Sequence, residues 1–301
     1  MKTATLVIGE KFGRLGNRLW LFSHVLAHAI ERGVQVKNPC FDDYADSFRI
    51  GQGDLLCSYP VQKSWWRHSA RTRHLSYTLF SKALFRLRSR TKGPGFEIVR
   101  TGMNDVYDLE GSDFAEVVSR NRYVVLAGWR FRSYASFDKH AGPIRELLRP
   151  VQEIETKVRR VVERARDGAD VLIGLHMRQS DYQQFLKGAY YFTTEEYIDI
   201  IRRVQPLFPA RAVRFLICAD EPQDETRFSD FDHSWGSGDA VEDLFSLASC
   251  DYVLGPPSTF TMWASFYGSV PLYKIMRLSE PISLDSFQIV DGRFDVEADA
   301  V

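Results

Sequence analysis

"DVLIGLHMRQSDY", residues 170–182, decides the fold. Val171, Leu172, Ile173, Leu175 and Met177 form a nearly unbroken apolar run, as in a strand covered on both faces, and the run ends in the polar group His176, Arg178, Asp181 and Tyr182. Three further runs follow: "VRFLICAD" at 213–220, "DYVLGPP" at 251–257 and "VPLYKI" at 270–275. Helical stretches separate them. Thr193 and Glu196 have capping-box spacing before Tyr197, Ile200, Ile201 and Val204, and Asp239 and Glu242 repeat it before Val241, Leu244, Phe245 and Ala248. Strand–helix alternation of this kind gives a parallel sheet covered by helices, and ligands bind such sheets beyond the carboxyl ends of the strands.

Working back along the chain, "TATLVIG" (3–9) reads as a buried strand, and Leu19, Phe22, Leu26 and Ile30 recur at helical spacing until Gly33. "GRLGN" (13–17) lies between them. It has neither the Gly-x-Gly-x-x-Gly spacing of a dinucleotide fingerprint nor the lysine of a P-loop. "YVVLAGW" (123–129) reads as another strand, while 34–122 has few strong periods. The 301 residues suit two domains, 1–150 and 151–301, with the boundary near Pro150.

Composition narrows the class. At 45% hydrophobic and 26% charged residues, the chain is that of a soluble globular enzyme, and a net charge of zero gives no reason to expect a nucleic-acid partner. Cys40, Cys57, Cys218 and Cys250 are widely spaced, so they form neither a metal motif nor a disulfide framework, and a reducing cytoplasm is expected. The opening apolar run is too short for a signal peptide, and no run approaches the ~18 apolar residues of a membrane span.

The strand ends supply the chemistry. Arg178 can fork onto two phosphate oxygens, or it can be a surface arginine paired with Asp181. Asp220 and Glu221 can accept hydrogen bonds from a ribose or base, or simply begin the next helix. Ser258 and Thr259 open a helix, where hydroxyls and free amides either cap it or bind an anion. Asp230 and Asp232 form an Asp-x-Asp pattern of the kind that holds a divalent cation, but in a polar loop that reads better as a solvated turn. No metal site is expected, His24 and His28 lacking the rest of a zinc motif.

"GRLGN", "LAGWRFRSYASF" (126–137), "HMRQSDY", "FLICADEP" (215–222) and "DLFSLASCDYVLGPPSTFTMWASFYG" (243–268) stand in the order found in glycosyltransferase family 11. The chain thus resembles the alpha-1,2-fucosyltransferases and, more distantly, the alpha-1,6- and protein-O-fucosyltransferases. The resemblance covers roughly 8–32, 123–150 and 170–275. It implies a GT-B fold with two Rossmann-like domains facing across a cleft, a GDP-fucose donor, inversion at the anomeric carbon and no cofactor or metal. The family motif His-x-Arg-Arg-Gly-Asp-Tyr puts its donor-binding arginine on Arg178, with His176, Asp181 and Tyr182 following. Gln179 and Ser180 replace its second arginine and its glycine, a departure that bears on donor affinity and identity. The resemblance also implies donor contacts for Arg14, Gly16, Asn17, Ser258, Thr259 and Phe260, and places Asp243 near the base.

The implied reaction moves fucose to a glycan hydroxyl, alpha-1,2 to galactose; the alternatives are another GDP-sugar, or a binding protein without turnover. Asp181 and His176 are the nearest candidates for the base, or else supports for Arg178. The acceptor would be an oligosaccharide or a lipid-linked glycan. Segment 61–92 carries nine lysines and arginines, no acid, and Trp65, Trp66, Leu79, Phe80, Leu84, Phe85 and Leu87. It reads either as a peripheral membrane contact at the cytoplasmic face or as a solvated basic helix packed on its own domain.

Overall fold

The computed structural model describes residues 3–62, 68–87, 91–103 and 105–292. The chain divides into two compact units, Met1–Val151 and Gln152–Val301. Each is an α/β unit built on a five-stranded sheet.

In the N-terminal unit, β1 (Thr5–Ile8), α1 (Leu15–Arg32) and β2 (Gln35–Lys37) are followed by α2 (Ala70–Arg86), β3 (Lys92–Gly93) and β4 (Phe96–Arg100). Then come β5 (Tyr107–Asp108), α3 (Ser112–Arg120), β6 (Tyr123–Ala127), β7 (Phe131–Arg132), α4 (Tyr134–Lys139) and α5 (Ala141–Leu147). The sheet order is β2-β1-β6-β4-β3, parallel except for the β3–β4 pair. Helix α1 buries Leu19, Trp20, Phe22, Val25 and Leu26, Trp20 stacks on Phe137 at 5.6 Å, and Gly33 closes the helix in the left-handed conformation.

In the C-terminal unit, α6 (Gln152–Arg166), β8 (Val171–Met177), α7 (Thr194–Val204), β9 (Val213–Ala219), β10 (His233–Trp235), α8 (Ala240–Leu247), β11 (Tyr252–Gly255), α9 (Thr259–Gly268) and β12 (Leu272–Lys274) follow in order. The sheet is wholly parallel, β10-β9-β8-β11-β12. Every β8 residue is buried, as the apolar run requires of a central strand. Val171, Ile173, Leu175 and Met177 join Ile198, Ile201 and Val204 of α7 in one core. On the opposite face Gly174 lies against Leu247 of α8, and His176 stacks on Phe260 of α9. The register Met177↔Ala219 sets Asp220 beside Arg178.

The capping box at Thr193 and Glu196 forms in full. The second expected box forms by half: Asp239 accepts from Val241 N and Glu242 N, but Glu242 turns to Lys157 at 2.9 Å. In the C-terminal unit one strand was not anticipated. β10 is a three-residue edge strand directly after the Asp230–Asp232 loop. All four cysteines are free and buried, and burial pushes the Cys40 and Cys57 thiols up to about 12. Among the described residues, no helix is long and apolar enough to cross a membrane.

Candidate functional site

The loop after β8 is held from below by Asp220. Its Oδ1 accepts the amide of Gln179 at 2.7 Å and that of Ser180 at 3.2 Å, while Oδ2 accepts Ser180 Oγ at 2.6 Å. Burial tends to raise this carboxyl, but these bonds and Arg178 hold it below its ordinary value. Asp220 was expected to offer its oxygens to a ribose or base. In the structure both oxygens also hold the Arg178 loop.

Arg178 is thereby fixed at the carboxyl edge of the sheet. Its amide donates to Tyr197 Oη at 3.1 Å, its guanidinium lies 5.2 Å from the Tyr182 ring centre, and one terminal nitrogen donates to Asp181 at 2.8 Å. Its Nε, 3.7 Å from Asp220 Oδ2, makes no hydrogen bond. Asp181 keeps a side chain 47% exposed. An anion arriving here meets the terminal nitrogens of the guanidinium, one of which donates to the exposed Asp181.

His176 and Phe260 form the adjoining wall, their rings stacked at 4.7 Å. Burial, with Arg178 adding to it, drives the imidazole down to about 3, so the ring is neutral at working pH. His176 is 4% exposed and stands as a wall beside Arg178. Ser258 caps α9 by accepting from Phe260 N at 3.1 Å, and Tyr182 Oη donates to Pro257 O at 2.6 Å, tying the Arg178 loop to the start of α9. Thr259 follows as the first helical residue and is half-buried. Capping therefore accounts for the Ser258 hydroxyl, while the α9 N-terminus faces the same edge of the sheet as Arg178.

Gln179 does not point toward this edge. Its side chain is 8% exposed, donates to Phe192 O at 2.9 Å and accepts from Gln223 Nε2 at 2.7 Å. It stitches the loop to the segment before α7. Sequence reasoning missed Gln223 and Tyr197, whose contacts with the loop span 44 and 19 residues.

Beyond the ends of β9 and β10 a pocket of about 220 Å³ is lined by Cys218, Ala219, Pro222, Trp235, Gly238 and Asp243. Burial lifts Asp243 to about 6 despite hydrogen bonds from Ser237, whose amide donates at 2.7 Å. Gly236 is required: a Cβ there would lie 2.5 Å from Asp243 Oδ1 and 2.8 Å from Cys218 Sγ. The Trp235 Nε1 is buried without a hydrogen-bond partner. A second, more polar pocket of about 570 Å³ adjoins the Arg178 loop at Gln179, Ser180, Gln183, Tyr191, Glu221 and Gln223.

Arg14, Gly16 and Asn17 belong to the N-terminal unit and are not brought together with Arg178 within one unit. Arg14 is the exposed residue capping α1, Gly16 is buried in its first turn and Asn17 is half-buried. Gly13 has φ +58°, and a Cβ on it would come within 2.3 Å of Asn17 Nδ2, so this loop tolerates only glycine. No acidic residue lies in the first turn of α1.

Asp230 and Asp232 are exposed and lie near Arg202 and Arg214 at 3.8 and 3.7 Å. Among the described residues, the one trio with metal-ligating spacing is Asp42, Asp43 and His74, and there Lys11 Nζ sits 2.6 Å from Asp42 and 2.9 Å from Asp43. The lysine supplies the cation.

No protein-family model matches the chain, and neither does any of the curated proteins compared with it. Solved structures do. FUT1 of Arabidopsis thaliana in complex with GDP superposes with a TM-score of 0.63 at 12% identity, covering 96% of this chain and 74% of that one. Fucosyltransferase NodZ from Bradyrhizobium gives 0.57 at 17% identity over 97% and 99% of the two chains, and POFUT1 in complex with GDP-fucose gives 0.54 at 11% over 94% and 97%. The fold is that of solved fucosyltransferases. Each of the two units is Rossmann-like, as in the GT-B fold class, and Arg178, the α9 N-terminus and the Asp243 pocket all lie at the carboxyl edge of the C-terminal sheet.

Proposed function

We propose that the chain is an inverting fucosyltransferase that moves fucose from GDP-fucose to a glycan hydroxyl, alpha-1,2 to galactose, without a metal. The observation that carries this reading is Arg178, its loop held by Asp220 and its terminal nitrogen paired only with the exposed Asp181, beside the α9 N-terminus. The GDP and GDP-fucose complexes among the similar structures support it.

In the reaction the acceptor oxygen forms a bond to the anomeric carbon as the bond from that carbon to the phosphate oxygen breaks. Negative charge develops on the departing pyrophosphate, and donors already fixed in place stabilise it most. Arg178 and the amides opening α9 take that role. The pocket at Asp243 and Trp235 suits a flat base with N–H donors, since the carboxyl accepts and the indole wall stacks. Asp181 is the base we assign: its carboxylate is accessible, and a pyrophosphate taking over Arg178 releases it to accept the acceptor's proton. The polar pocket beside Tyr191 suits part of an oligosaccharide or lipid-linked glycan acceptor. A cytoplasmic location is part of the proposal, and the buried, unpaired thiols are consistent with it.

The test is transfer itself. Incubation with GDP-fucose and galactose-terminated oligosaccharides in EDTA should release GDP and give an alpha-linked fucosyl product by NMR. A product carrying another sugar from another GDP-donor overturns the donor assignment, and GDP binding without any product supports a non-catalytic relative.

A further inference from the structure

Helix α2 has two faces of different character. The inner face is anchored: Leu84 packs with Ile98 and Ala127, while Arg73, 2% exposed, reaches Asp46 at 3.2 Å and the carbonyls of Asp54 and Gly51. Lys11 Nζ lies 4.0 Å over the Tyr77 ring. These contacts fix the rotation of the helix. Positions 71, 75, 79, 82 and 86, spaced by three and four, therefore form the outward stripe: Arg71, Leu75, Leu79, Lys82 and Arg86. Leu75 is 59% and Leu79 60% exposed, and Phe85 on the flank is 69% exposed.

Charge identifies what this stripe faces. From residue 55 to 96 the sequence carries nine lysines and arginines and no acid, Arg71, Lys82 and Arg86 of them on the outward stripe and Arg73 turned inward, while the whole chain is neutral. The remainder is net −9. Two copies of such a face repel each other, and an ordinary solvated helix does not set leucines between its cations on the outer stripe. Leucines alternating with long cationic side chains match the boundary of an anionic bilayer, where apolar groups enter among the acyl chains and ammonium and guanidinium groups stay with the phosphates.

We infer that the outward face of α2 docks the protein on an anionic lipid surface, lying in the plane of the headgroups. The inference is independent of the donor assignment, because lipid binding is read without any sugar. It does place catalysis where a lipid-linked acceptor would be found.

The experiment is flotation of the full chain with vesicles of phosphatidylcholine alone or with 30% phosphatidylglycerol. Binding to the anionic vesicles only, weakened at 1 M salt, is expected. Replacing Lys82 and Arg86 by Gln should weaken it about thirtyfold, at the typical contribution of each cation near such a surface. Leu75→Ser with Leu79→Ser should weaken it at least tenfold, from the loss of apolar burial in the interface. Both pairs point outward, so melting within about 2 °C of wild type is expected. Negligible or equal binding to the two vesicle types overturns the inference, as does binding that neither pair alters. A dimer by light scattering that Leu75→Ser with Leu79→Ser dissolves would show a second copy on this face instead.

Discussion

Replacing Asp220 by Ala removes the brace of Arg178 without touching the arginine. The carboxylate accepts two amides and one hydroxyl at 2.7, 3.2 and 2.6 Å. Hydrogen bonds to a charged group contribute about 1.5–3 kcal/mol each, but water can re-enter this half-buried position, so a net loss of roughly 3 kcal/mol is expected. For a unit of this size that lowers the melting temperature by about 6–12 °C. GDP should bind about tenfold more weakly, because Arg178 must then be ordered at the moment of binding. Asp220→Asn keeps an oxygen for the Gln179 and Ser180 amides, so it should melt close to wild type and yet bind GDP less well. The bonds that depress the Asp220 carboxyl stabilise the fold above its ordinary pKa and are lost as pH falls through the folded value. The gap in melting temperature between wild type and Asp220→Ala should therefore narrow in acid. Calorimetry and thermal melts measure both effects. An alanine variant that melts and binds GDP like wild type would refute the role given to Asp220.

Arg178→Lys keeps the charge and loses the fork, so calorimetric titration should show GDP binding weakened about 10–100-fold. Gln179→Arg, which writes the family arginine back in, should lower the melting temperature and not improve donor binding, because the new charge replaces a buried side chain bonded to Phe192 and Gln223. Asp243 is raised to about 6, so its stability contribution falls as pH rises from about 4 to 6. Asp243→Asn should then melt at or above the wild-type temperature at pH 7.5, match it near pH 4, and bind GDP more weakly. His176, lowered to about 3, destabilises the fold progressively as pH drops below its unfolded value of 6.5. His176→Gln should flatten that acid limb in pH-dependent melts.

Much of the C-terminal unit was legible in the sequence because its signals are local. The apolar run of β8, the Thr193–Glu196 box and the Asp239 cap are read within a few residues. β10 escaped because three residues at a sheet edge bury little and show no alternation. β4 lay hidden in the weakly patterned 34–122 segment, since its place in the sheet is set by β6, about 27 residues away. At the site, residue types at the strand ends were readable, but roles were not. The bracing role of Asp220 rests on bonds that span 40 and 41 residues. Gln179 looked like a lost donor contact, and only its burial against Phe192 and Gln223 shows a residue holding the loop. Trp65 and Trp66 of the basic segment lie outside the described residues.

The most direct measurement is calorimetric titration of the purified protein with GDP-fucose, GDP-mannose and UDP-galactose, with EDTA throughout. Binding of GDP-fucose in preference to both others, lost in Arg178→Lys, is the result expected. Preference for another nucleotide sugar, or no binding to any of the three, would contradict it.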